Sequence, residues 1–80
     1  MAQLTLFMTD TCPYCQKVLR FMGENNIKIP LKNTAADPAS RQELLKIGGM
    51  TQVPCLIIDG KALYESDDII EWLQKNWRKN

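Results

Sequence analysis

Two cysteines three residues apart, Cys12 and Cys15, stand with Pro13 and Tyr14 between them. A thiol pair at this spacing can exchange with a disulfide, one sulfur attacking and the other displacing it. An apolar run (Leu4, Leu6, Phe7, Met8) precedes the pair and a helical pattern follows it. A strand therefore delivers Cys12 to the mouth of a helix. Cys12 falls at the N-cap and Pro13 at the first helical position, where its missing N–H costs nothing. Unpaired backbone N–H groups and the positive end of the helix dipole then face the Cys12 sulfur and favour the thiolate, its nucleophilic form. Cys15 lies one turn on, on the same face, within reach for a disulfide. Half of a zinc site is the alternative, but zinc takes about four ligands. The chain offers one further cysteine, Cys55, and no histidine.

The elements that must position this pair are legible in order. Gln3 to Met8 suits a strand buried on both faces. Val18, Leu19, Phe21 and Met22 form the apolar face of the helix, with Gln16, Lys17, Arg20 and Glu24 opposite. Asn25-Asn26 ends it in a left-handed turn. Ile27, Ile29 and Leu31 alternate with Lys28, Pro30 and Lys32, which predicts a strand. Pro30 cannot donate to a ladder, so that strand belongs at a sheet edge. Asn33 to Ala36 is a loop. Asp37-Pro38 opens a second helix running past Leu44, Leu45 and Ile47 to a stop at Gly48-Gly49. Gln52-Val53-Pro54 is a tight connection to a buried strand, Cys55 to Ile58. Asp59-Gly60 makes a two-residue hairpin to Lys61–Tyr64. Ser66 caps a last helix, with Asp67 and Asp68 in its first turn. Ile69, Ile70, Leu73 and Trp77 line its inner face, and Arg78 and Lys79 lie at its C-terminal end. The order β-α-β-α-β-β-α, opening with a right-handed βαβ unit, predicts one α/β domain over residues 1–80. Its mixed four-stranded sheet lies in three layers, with the first and third strands central.

At 80 residues and 45% hydrophobic content the chain has one modest core and no second domain. Small domains often need a staple. A dithiol that opens in each cycle is a poor one, so the fold must rest on packing. A net charge of +1 gives no electrostatic reason to expect nucleic acid or a membrane surface. No apolar run has the length of a membrane span. Met1-Ala2-Gln3 lacks the basic start of a signal peptide, and three cysteines do not make a secreted disulfide framework. A reducing cytoplasm is the expected location.

Three separated motifs give the chain a resemblance to the glutaredoxins, in the thioredoxin superfamily, over nearly all 80 residues. The dithiol signature stands as Cys12-Pro13-Tyr14-Cys15. The Thr-Val-Pro segment, whose proline is cis in that family, is matched by Gln52-Val53-Pro54, and the Gly-Gly-x-Asp-Asp segment in part by Tyr64-Glu65-Ser66-Asp67-Asp68. Two departures stand out. Thr9, followed by Asp10, replaces a lysine that many glutaredoxins carry three residues before the first cysteine. Tyr64-Glu65 replaces the glycine pair and resembles the N-terminal domains of glutathione transferases.

The resemblance implies a thioredoxin-like fold and a glutathione-dependent thiol–disulfide oxidoreductase. It would reduce protein disulfides and glutathione mixed disulfides, with Cys12 as nucleophile and Cys15 as resolving thiol. Glutathione is then a cosubstrate, with no tightly bound cofactor and no metal. A glutathione reductase using NADPH recharges it, and the protein is a monomer. Tyr14 would line the glutathione groove, or be only an exposed turn residue. Val53, turned outward by a cis Pro54, would pair with the glutathione peptide. Backbone N–H groups at Ser66 would hold the γ-glutamyl carboxylate and Asp67 its ammonium, besides capping the helix. Gln52, Arg41 and Lys46 are candidates for the glycine carboxylate, Lys46 equally for a solvated helix face. Cys55, Trp72 and Trp77 read as packing. Two alternatives stay open: a redoxin recharged directly by thioredoxin reductase, and a dimeric module holding an iron–sulfur cluster through Cys12 and two glutathiones. Pro13 and Cys15 argue against the module, because cluster-carrying relatives usually have smaller residues at one or the other.

Overall fold

The computed structural model describes residues 3–77. Its elements are β1 (Leu4–Met8), α1 (Pro13–Glu24), β2 (Leu31–Asn33), α2 (Pro38–Gly48), β3 (Cys55–Ile58), β4 (Lys61–Tyr64) and α3 (Ser66–Asn76). The sheet order is β2-β1-β3-β4, with β1 parallel to β2 and the other neighbours antiparallel. The expected order of elements and the central β1 and β3 are therefore present. Alternation along β1 explains the three layers. Leu6 points into a core with Val18 and Met22 of α1, Leu56 of β3, and Ile69 and Leu73 of α3. Phe7, its neighbour in the chain, points the other way, to Leu44 of α2 with Cys55 and Ile57. Both central strands are thus sandwiched between helices, and β1 ends in the loop that carries Cys12.

Local chemistry sets the element ends. Asn26, at φ 56, and Gly49, at φ 79, take the left-handed positions that end α1 and α2. Asp37 caps α2, its carboxylate accepting from the Ala39 N–H at 3.1 Å. Asp59 and Gly60 both have positive φ, 50 and 85, the pattern of a tight hairpin turn.

Four expectations need correction. The second strand begins only at Leu31, not Ile27. The Ile27 N–H still donates to the Met22 carbonyl at 2.9 Å, closing the end of α1, and Pro30 has no N–H to give. Ile27 and Ile29 are buried all the same, whereas Leu31 is half exposed. Second, Ser66 is not the cap of α3. Glu65 takes the N-cap corner at φ 73 without a side-chain cap bond, and Ser66 is the buried first helical residue. Third, the helix past Leu44, Leu45 and Ile47 is present, but its last residue is Gly48, with Gly49 as the cap, and of those three apolar residues only Leu44 reaches the core, while Leu45 and Ile47 are exposed. Fourth, Trp77 follows α3 as its C-cap rather than lying on its face, and packs half-buried against the core. Arg78 and Lys79 lie outside the described residues.

Candidate active site

Cys12 is the N-cap of α1, in extended conformation (φ −86, ψ 119), with Pro13 in the first turn. Its carbonyl accepts the first helical bond, from the Gln16 N–H at 3.0 Å. Its sulfur accepts from the Cys15 N–H at 3.4 Å. That contact sets one of the helix's unpaired first-turn N–H groups against the sulfur. The Cys12 thiol also donates to the Val53 carbonyl at 3.9 Å. When Cys12 ionises, that carbonyl is released for another donor.

The two thiols are unequal. Cys12 is partly exposed and Cys15 is 0% exposed. Burial pushes the Cys15 thiol up to about 11, and the Cys12 sulfur beside it adds to this. The Thr9 N–H and hydroxyl act in the opposite direction without reversing it. All three cysteines are free thiols. Cys55 is buried on β3, also raised to about 11 by burial, and faces the opposite core from Cys15.

The peptide bond Val53–Pro54 is cis, as the resemblance implies. Val53 is brought to the dithiol, and contacts of its neighbours continue to the start of α3. The Gln52 amide donates to the Glu65 carboxylate at 3.4 Å. Ser66 follows, buried, then exposed Asp67, whose carboxylate is held by the Lys17 ammonium of α1. Cys12, Val53, Gln52, Glu65, Ser66, Asp67 and Lys17 thus form a ring from the mouth of α1 to the mouth of α3. On the other side of Cys12, the Gln16 amide donates to the Asp10 carbonyl at 2.7 Å and the Asn33 amide to the Asp10 carboxylate at 3.1 Å. These bonds brace the loop before the dithiol.

Tyr14 projects from the dithiol turn, 65% exposed. Arg41 and Lys46 are exposed on α2, and among the described residues no side-chain hydrogen bond or ion pair joins either to the ring. A cleft of about 510 Å³ lies on that helix, lined by Pro38, Ala39, Gln42, Glu43 and Lys46. It includes none of the ring residues, so the thiol geometry rather than cavity size marks the site. Among the described residues no group of three or more His, Cys, Asp or Glu side chains could hold a metal ion. Lys17, Glu65 and Asp10 were not expected here. Glu65 left a signal in the sequence, as a departure from the glycine pair, and Asp10 one beside the missing lysine; Lys17 left none.

An α/β/α sandwich with a helix-capping Cys-Pro-Tyr-Cys and a cis-proline loop beside it defines the thioredoxin-fold dithiol proteins. Within that class, the sequence pattern of the family described as "Glutathione S-transferase, N-terminal domain" matches residues 6–80. Glutaredoxin 3 of Escherichia coli (strain K12) is 28% identical over 69 residues, covering 86% of this chain and 83% of that protein. A glutaredoxin-like 8.6 kDa protein in the rubredoxin operon of Clostridium pasteurianum is 30% identical over 73 residues, covering 85% of this chain and 97% of that protein. The crystal structure of the thioredoxin-like protein BC3987 superposes with a TM-score of 0.76 at 28% identity, covering 90% of this chain and 96% of that one. The chain belongs to the glutaredoxin family of the thioredoxin superfamily.

Proposed function

We propose that this protein is a glutathione-dependent thiol–disulfide oxidoreductase acting through Cys12 and Cys15. One observation carries the reading: a partly exposed sulfur at a helix mouth, donated to by the next cysteine's N–H, with that cysteine's own thiol buried and protonated beside it. The Cys12 thiolate attacks one sulfur of a substrate disulfide. The S–S bond breaks, the far sulfur leaves with the electron pair and takes up a proton, and a mixed disulfide remains on Cys12. For a protein substrate the Cys15 thiol then loses its proton and attacks the Cys12 sulfur. The substrate leaves as a thiol, and Cys12–Cys15 is oxidised. Two glutathiones restore the dithiol and leave as glutathione disulfide, which a glutathione reductase reduces with NADPH. A glutathione on Cys12 can instead be removed by a second glutathione, without Cys15.

Val53 would pair with the peptide next to the attacked sulfur. The α3 mouth at Ser66 and the Asp67 carboxylate would take the γ-glutamyl end. Gln52 and Arg41 would serve the glycine carboxylate, and Tyr14 the rim. A reducing compartment, the cytoplasm, suits three free thiols, and the domain would work as a monomer. Thr9 in place of lysine, together with the likeness to a thioredoxin-like protein over 96% of its length, favours one competing reading: recharging by thioredoxin reductase. A reductase swap decides between them. With NADPH and a disulfide-bonded protein, glutathione plus glutathione reductase should sustain turnover and thioredoxin reductase alone should not. The reverse result replaces glutathione as the reductant.

A further inference from the structure

We infer that Tyr64 is a positioning residue for the substrate-binding loop, and that Gly48 is the seat that lets it act. Tyr64 ends β4, paired across the sheet with Cys55, the residue after Pro54. Its hydroxyl donates to the Met50 carbonyl at 3.0 Å, crossing 14 residues of chain to do so. Met50 opens the segment Met50–Val53 that carries the Cys12-facing carbonyl. Gln52, in the same segment, is held by Glu65, the neighbour of Tyr64. Two consecutive residues therefore fasten one short stretch that has no ladder of its own.

Gly48 supplies the second observation. A Cβ placed there would lie 1.9 Å from the Tyr64 hydroxyl oxygen and 2.9 Å from its ring, with the Ala62 methyl at 3.1 Å. Gly48 is the last residue of α2, where alanine would ordinarily strengthen the helix. The tyrosine occupies the space that a side chain at 48 would take. A side chain at 48 would push the ring away from Met50 and exchange that hydrogen bond for bonds to water.

The consequence lies in recognition rather than in bond making. Tyr64 touches neither sulfur of the dithiol. It fixes the loop whose Val53 would pair with a bound disulfide peptide, so its loss lowers affinity and spares the reaction at saturation. Resting on the disulfide exchange proposed above, this holds for whichever disulfide the protein uses, glutathionylated or protein-borne.

The test is Tyr64→Phe, which keeps the ring and removes one hydrogen bond. KM should rise about 2- to 10-fold, the range one such bond supplies, on each disulfide that the wild type turns over. kcat should stay within about twofold, and amide hydrogen exchange at residues 51–53 should accelerate. Gly48→Ala should reproduce the KM rise when Tyr64 is present and have a clearly smaller effect in a Tyr64→Leu background, where only the Ala62 methyl at 3.1 Å still crowds the new Cβ. Should Gly48→Ala fail to fold, Tyr64→Phe still decides. Unchanged KM overturns the inference, whether or not exchange accelerates. Equal effects of Gly48→Ala in both backgrounds overturn the seat. If the wild type uses the protein disulfide but not glutathione, the glutathione reading fails and the protein-disulfide arm still judges Tyr64.

Discussion

Cys12 and Cys15 differ by position, and the difference assigns their work. With its thiol raised to about 11 by burial, Cys15 is held almost wholly protonated at pH 7. It cannot compete for the first attack. Alkylation at pH 7 should therefore mark Cys12 first, with Cys15 and Cys55 protected; mapping the label by mass spectrometry checks this, and a first label on Cys15 or Cys55 would contradict the assignment. Once Cys12 carries a substrate its sulfur no longer repels a second thiolate. Burial, the first cause of the Cys15 shift, remains. The resolving step should accordingly speed up as pH rises from 7 to 9, while removal of glutathione from Cys12 in Cys15→Ser should lack that component; stopped-flow release of a protein thiol reads it. Asp67 is held by Lys17, so an ammonium must displace or share that lysine. Asp67→Asn should raise KM for a glutathione mixed disulfide about 2- to 10-fold and leave a protein disulfide within about twofold. Cys12, Cys15 and Val53 were legible because cap and motif chemistry are local. The Lys17–Asp67 pair, 50 residues apart, was not, because nothing in a solvated helix face says which acid it meets.

Elements here are delimited mainly by their ends. Asp37 holds the start of α2 twice, accepting from the Ala39 N–H and, at 2.9 Å, from the Ser40 hydroxyl. Asp37→Ala should lower stability by about 1 kcal/mol, seen as a reduced urea midpoint with an unchanged slope; no shift would mean that Pro38 and tertiary packing set the helix start alone. Such ends were legible because Pro, Gly, Asn and Asp act through their own backbone or nearest neighbours. The start of β2 was not. Period two runs from Ile27, but Ile27 also closes α1, and a pattern of side chains does not reveal which N–H groups are already used. Ser66 misled for a related reason. It is a good capping residue, yet Glu65 makes the turn between β4 and α3 one position earlier.

At the scale of the whole molecule, two helices lie on one face of the sheet and one on the other, and each face buries a thiol. The layers followed from the alternation in β1 and the element order. The exposure of Leu45 and Ile47 did not, since one short helix over a four-stranded sheet has room to bury only a narrow stripe. Cys55 and Cys15 both ionise near 9 when unfolded and near 11 in the fold. Between those values the unfolded chain has lost protons that the fold retains, so rising pH favours unfolding. Their contribution is complete below about pH 9 and is lost through 11. Cys55→Ala should be less stable at neutral pH from lost packing but show a shallower fall in Tm from pH 9 to 11; parallel curves would contradict the burial of a protonated thiol. The most direct measurement is of the mixed disulfide itself. Reduced Cys15→Ser, given glutathione disulfide and mapped by peptide mass spectrometry, should carry one glutathione, on Cys12, and lose it to added glutathione. No adduct, or an adduct on Cys55, would contradict Cys12 as the nucleophile of a glutathione-dependent exchange.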